Sequence, residues 1–176
     1  MRWFWIDRFT EFVSGVRASS VKCVSLAEEH VDEYFPGYPQ MTPSFVLEGF
    51  AQTGGLLLGQ VNDFQERVVL AKISSAKFHC LARPGDHLSY SVTLETIQPD
   101  GGLIKATSHL GETLHGEAEL TFAYAPDSVV QTEMFEPAEF LRMLRIYGLF
   151  DVGVDQDGNP LKIPQRFLDA EARVMT

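Results

Sequence analysis

Glu48 is the only ionisable residue in the stretch SFVLEGFAQTGGLLLGQVN, Ser44 to Asn62. A carboxyl surrounded by Phe, Leu, Val, Ala and Gly is costly as a bare charge and is poised to act as an acid. The competing interpretation is a glutamate that reaches water at the start of a helix. Of the histidines, His30 in AEEHVDEYF is nearest to this stretch and is a candidate base, although EEHVDE otherwise reads as a solvated segment. His79 lies beside Cys80 near a strand end, whereas His87, His109 and His115 fall among polar neighbours on strand patterns and read as surface residues. Cys23 and Cys80 sit alone in apolar stretches with no Cys-x-x-Cys spacing, which points to buried thiols rather than to a zinc site or redox pair. DQDGN at Asp155 to Asn159 lacks the spaced ligands and closing glutamate of a calcium loop and reads as a plain turn. No metal and no cofactor is expected.

The elements that must position these residues have clear patterns. The stretch carrying Glu48 is apolar nearly all round, as in a buried helix, with Thr42 as N-cap and Pro43 as first helical residue. Gly49, Gly54, Gly55 and Gly59 would let a sheet approach it closely. VVLAKI at Val68 to Ile73 reads as a buried strand. From His87 to Tyr124 apolar and polar residues alternate, broken by turns at QPDGG and at Gly111–Glu112, which describes an antiparallel meander with one wet face. Two strand-like stretches flank Ser14 and Gly15. The predicted fold class is α+β: an antiparallel sheet wrapped around one long buried helix, the hotdog fold. Residues 1–127 would form this domain and 128–176 a helical extension packed on it. In the extension Glu136 and Pro137 open a helix carrying Phe140, Leu141, Leu144 and Tyr147, and Gly148 closes it.

The chain has 176 residues and a formal charge of −10, which disfavours nucleic acid and anionic membrane as partners. No stretch approaches the length of a transmembrane span, and MRWFWIDRF lacks the apolar run of a signal peptide, so the expected location is the cytoplasm.

Tyr34 to Gly55, YFPGYPQMTPSFVLEGFAQTGG, resembles the signature of the β-hydroxyacyl-(acyl carrier protein) dehydratases, HFPGxPxMPG followed by an apolar run to LEAxAQ. Phe35, Pro36, Gly37, Pro39, Met41, Leu47, Glu48, Ala51 and Gln52 fall in register without a gap, and KISSAKFHCLARPGD at Lys72 to Asp86 matches the family strand that ends in PGD. The resemblance spans roughly Trp5 to Tyr124. It implies a histidine that takes a proton from the carbon beside a thioester carbonyl. It also implies an acid on the buried helix contributed across a dimer, and a helix-start N–H that holds the developing enolate oxygen. Glu48 stands at the acid position. Tyr34 replaces the histidine, and a neutral phenol with a pKa of about 10 is a poor base at neutral pH. Pro43 replaces the glycine whose N–H is the oxyanion donor, leaving Ser44 or Phe45 to supply one.

By the same resemblance Glu48 and Tyr34 stand at the catalytic positions, and His30, four residues before Tyr34, is the candidate substitute for the missing histidine. Phe35, Pro36, Gly37, Pro43, Ser44, Gln52, Phe78, His79 and Arg83 would bind substrate. Arg67, Lys72, Lys77 and Arg83 offer charge to a phosphopantetheine phosphate, on an acyl carrier protein or on coenzyme A. The expectation is a (3R)-hydroxyacyl-thioester dehydratase-family protein with a degenerate, slow or inactive site. It would form a homodimer, a heterodimer with an intact paralogue, or a higher oligomer. The rivals are an active dehydratase using His30, a thioesterase in which Glu48 activates water, and a non-enzymatic acyl-binding module.

Overall fold

The computed structural model describes residues 4–33, 37–125 and 136–174. Strands β1 (Arg8–Val13) and β2 (Arg17–Cys23) form a hairpin. A single-turn helix α1 (Glu29–Glu33) and the long helix α2 (Pro43–Gln60) follow. Four strands come next: β3 (Arg67–Phe78), β4 (His87–Gln98), β5 (Gly101–Leu110) and β6 (Thr113–Ala125). The remainder contains α3 (Pro137–Ile146), α4 (Leu149–Val152), β7 (Gly153–Val154) and α5 (Gln165–Val174). All seven strands join one sheet in the order β3-β6-β5-β4-β2-β1-β7, in which only the β1–β7 pair is parallel.

Strand alternation sets which face meets the helix. Leu88, Tyr90 and Val92 of β4, Ile104 and Ala106 of β5, and Ala118, Leu120 and Phe122 of β6 are all buried. Helix α2 lies on this face and buries Val46, Gly49, Phe50, Thr53, Gly54, Leu57 and Leu58. This is the hotdog arrangement. Two glycines allow the close approach: a Cβ on Gly49 would lie 2.3 Å from Tyr90 Cζ, and one on Gly54 would lie 2.2 Å from Ile104 Cδ1. The opposite side of α2 is only half covered, at Leu47, Glu48, Ala51, Gly55 and Leu56.

Several local expectations are corrected. Val68 to Ile73 belongs to an exposed edge strand, with Leu70 42% and Ile73 44% exposed, because among the described residues β3 has a neighbour on one side only, β6. Cys23 is exposed at the end of β2 and Cys80 is half-buried. His115, expected at the surface, is 2% exposed. The register shifts between Ser108 and His109, where the ladder passes from Gly116 to Leu114, so His115 is the extra residue of a β-bulge. The bulge turns its ring inward, where Nδ1 meets Ser108 Oγ at 2.9 Å.

Beyond the meander, α3 opens as the sequence indicates: the Glu136 carboxylate accepts from the Glu139 N–H at 3.1 Å, and Pro137 begins the helix. Phe140 and Phe167 pack with Phe64 near the end of α2, with ring centroids 5.2 to 6.2 Å apart. Arg166 donates to the carbonyls of Asp63 and Phe64 at 2.7 and 2.6 Å. Both of those residues have positive φ, 56° and 58°, so the charged donor braces a backbone conformation that L-residues rarely adopt. The Asp155 carboxylate accepts from the N–H groups of Asp157 and Asn159 at 2.9 and 2.8 Å, a locally closed turn.

Candidate functional site

The chemistry-bearing residues gather around the first half of α2. Thr42 is an extended N-cap and Pro43 occupies the first helical position, where its fixed φ suits the helix and its missing N–H breaks no helical bond. The Thr42 hydroxyl makes no cap bond and instead meets Ser44 Oγ at 2.9 Å. The backbone carbonyl of Thr42 takes the N–H groups of Phe45 and Val46 at 3.1 and 3.3 Å. Among the described residues the Ser44 N–H makes no backbone hydrogen bond, and Ser44 is exposed. Of the two donors considered from sequence to replace position 43, Ser44 is therefore the one left open at this helix start.

Glu48 is one turn further on and half-buried. Its Oε1 accepts from Gln52 Nε2 at 2.9 Å. The Gln52 carbonyl oxygen in turn accepts from the backbone N–H of Trp5 at 3.1 Å and from the Tyr147 hydroxyl at 3.0 Å. A backbone N–H can only donate, so the amide oxygen must face Trp5 and the NH₂ must face Glu48.

His30 packs against the same end of α2. Its ring lies 4.3 Å from that of Phe45 and 5.0 Å from that of Trp5, while Trp5 stacks on Phe45 at 4.6 Å. Among the described residues its buried Nε2 has no hydrogen-bond partner, and it faces Glu28 Oε2 at 3.6 Å. Burial pushes the His30 pKa down, partly offset by Glu28. Lys22, itself buried, pairs with Glu28. His30 is thus enclosed in an aromatic and ionic cluster, where the sequence suggested a solvated segment.

The loop leading into α2 is tied to the loop after β3. Met41 N–H donates to the Ala82 carbonyl at 2.9 Å, and the Arg83 guanidinium lies 5.2 Å from the Tyr38 ring centroid and 3.3 Å from its hydroxyl. Arg83 is exposed beside this entry, as a phosphate contact needs. Gly37 is exposed with φ of 75°. Phe78 ends β3 half-buried, packed on Gly116. His79 points to Glu117, Nε2 to Oε1 3.0 Å, at the exposed side. Arg67, Lys72 and Lys77 are spread along β3. Tyr34, Phe35 and Pro36 lie outside the described residues.

The structure therefore brings Pro43, Ser44, Glu48, Gln52 and His30 to the first half of α2 and sets Arg83 beside Tyr38 in the loop that leads to this helix. Sequence reasoning missed two members, Trp5 and Tyr147, which lie 47 and 95 residues from Gln52. Neither belongs to a local motif, and a single buried phenol at a helix end looks like core.

A long helix laid on one face of an antiparallel sheet is the arrangement of the hotdog fold. The FabA-like domain model matches residues 4–112. The 3-hydroxyacyl-[acyl-carrier-protein] dehydratase FabZ of Ligilactobacillus salivarius is 38% identical over 118 residues, 66% of this chain and 84% of the relative. That of Chloroflexus aggregans is 38% identical over 119 residues, 67% of this chain and 83% of the relative. The chain belongs to this FabA-like dehydratase family. Solved structures share the fold at low identity. A Streptococcus mutans protein bound to acetyl-CoA has a TM-score of 0.57 at 13% identity, covering 71% of this chain and 93% of its own. The dehydratase heterocomplex ApeI:P of Xenorhabdus doucetiae has a TM-score of 0.60 at 12% identity, covering 80% and 89%. Among the described residues no helix is long and apolar enough to cross a membrane.

Proposed function

We propose that this protein binds 3-hydroxyacyl thioesters beside the N-terminus of α2 and is slow or inactive as a dehydratase on its own. In a dimer its Glu48 would serve as the acid for the histidine of an intact relative. The carrying observation is the asymmetry of the site. The acid side is built: Glu48 is half-buried and held by Gln52, which is itself fixed by Trp5 and Tyr147. The base side is not, because position 34 is tyrosine and position 43 is a proline without an N–H. The Ser44 N–H supports a shifted oxyanion contact, and Arg83 supports docking of a phosphopantetheine arm from a carrier protein or coenzyme A. The half-covered strip of α2 and the edge of β3, which among the described residues has no partner beyond β6, support a dimer.

The test is to incubate the purified chain, alone and mixed with an intact FabZ-type dehydratase carrying a Glu→Gln change at the acid position, with a (3R)-hydroxyacyl thioester. Dehydration and free thiol release are followed together. Thioester binding without turnover alone, and dehydration restored in the mixture, supports the proposal. Robust dehydration by the chain alone contradicts it and points to His30. Thiol release lost in Glu48→Gln points to a thioesterase. Absence of thioester binding refutes it outright.

A further inference from the structure

The segment after the meander reaches back into the site. Tyr147 ends α3, is 1% exposed, and lies beyond residues 4–112 matched by the FabA-like domain model. Its position is fixed from three sides. Its backbone carbonyl accepts the Phe9 N–H at 2.8 Å, its ring packs edge-on against Phe9 and Phe4 with centroids 6.3 and 5.7 Å away, and Gly148 turns the chain with φ of 64°. The hydroxyl at the end of this rigid mount points at Gln52 Oε1, 3.0 Å away. Burial raises the phenol pKa well above its ordinary value, so the group stays protonated and remains a donor across the working pH range.

We propose that Tyr147 is a positioning residue of the Glu48 site: its hydroxyl completes the pair of donors that locks the Gln52 amide, and the amide in turn fixes the Glu48 carboxyl. Gln52 Oε1 has two lone pairs, and the Trp5 N–H and the Tyr147 O–H fill them. With both donors present the amide cannot rotate about its long axis without losing two hydrogen bonds. Its Nε2 therefore stays on Glu48 Oε1, which leaves Oε2 as the oxygen for a substrate hydroxyl. Packing alone does not require this hydroxyl, because phenylalanine has the same ring. The C-terminal segment is on this account part of the reactive site. The inference rests on the proposed role of Glu48 only for its consequence in turnover. The hydrogen-bond relay can be read without any turnover.

The deciding experiment compares the full-length protein with Tyr147→Phe in two readouts. The first is the side-chain amide signals of Gln52 in a ¹H–¹⁵N spectrum, assigned as the pair lost in Gln52→Met. In the parent these signals should shift when Glu48→Gln is introduced. In Tyr147→Phe they should move toward those of a free glutamine side chain and lose their response to Glu48→Gln. The second is Glu48-dependent dehydration, in the chain alone or in the mixed dimer, where kcat should fall about tenfold or more at little-changed KM, as expected when a reacting group is misplaced by a fraction of an ångström. Unchanged Gln52 signals in Tyr147→Phe overturn the proposal, since the amide would then be held without the Tyr147 hydroxyl. Altered signals with no turnover in any format support the relay and count against the Glu48 function instead.

Discussion

Proline at position 43 is a good start for α2 and a poor partner for an enolate. The same missing N–H that breaks no bond in the helix removes the donor an acyl-thioester lyase would use. Restoring both lost groups is therefore a direct test at the level of single residues. Tyr34→His should raise dehydration by about 10²–10⁴ and Pro43→Gly by about 10²–10³, the ranges associated with one general base and one oxyanion donor. The double variant should exceed either single one when rates on a (3R)-hydroxyacyl thioester are measured. If neither substitution raises the rate above the parent, the site is degenerate for some other reason or is already active through other groups. Glu48, Pro43 and Gln52 were legible in sequence because they sit in one continuous motif on one helix. The contacts of Trp5 and Tyr147 with Gln52 were not, because they are tertiary and leave no periodic trace.

Elements were easier to read than their surroundings. The α2 boundaries, the meander from β4 to β6 and the α3 start follow from alternation, turn residues and capping, all local signals. What escaped is where registry or neighbours decide. An apolar run such as VVLAKI reads alike for a central strand and for an edge, and a bulge cannot be seen in a pattern of period two. Gly49→Ala tests the helix-to-sheet approach: the added methyl would meet Tyr90 at 2.3 Å, and overpacking of this kind costs about 1–3 kcal/mol. Urea unfolding should show that loss at unchanged m-value, and a parent-like midpoint would mean that the Tyr90 ring moves away freely. The bulge gives a second prediction. Burial lowers the pKa of His115, with His79 adding to the effect and Asp86 opposing it. The unfolded chain, with a histidine pKa of about 6.5, therefore binds the proton more readily than the folded one. Stability from this group is intact above that pH and is lost as the pH falls through it. His115→Gln should flatten the decline of unfolding free energy between about pH 7 and 5 by at most about 1.4 kcal/mol per pH unit. An unchanged slope would show that His115 binds its proton equally well in the folded and unfolded states.

At the scale of the molecule, the single chain leaves two surfaces that the rest of its design does not account for. Among the described residues β3, twelve residues long, pairs only with β6 and exposes Leu70 and Ile73. An edge that long can accept another strand, although Lys72, Lys77 and the register shifts at Leu70/Lys72 and Ile73/Ser75 partly blunt it. The half-covered side of α2, including Leu47, Ala51 and Leu56, carries Glu48 in its midst. The opposite edge of the sheet is closed differently: β7 pairs with β1 and the C-terminal segment covers it. One edge is thus covered by the chain itself, whereas among the described residues the other has no strand beyond β3. Antiparallel pairing of two β3 strands would continue the sheet and bring the two α2 helices alongside each other, so that both exposed surfaces are buried by one contact. Ala71→Pro breaks this without touching the core, since Ala71 lies exposed at the bulge between Leu70 and Lys72. Light scattering should give about twice the 19.7 kDa chain mass for the parent and the single-chain mass for the variant. The variant should also lose its ability to complement an acid-deficient dehydratase while keeping its circular dichroism. A parent that is monomeric at micromolar concentration would remove the dimer, and with it the shared site, because Glu48 would then have no second chain to serve.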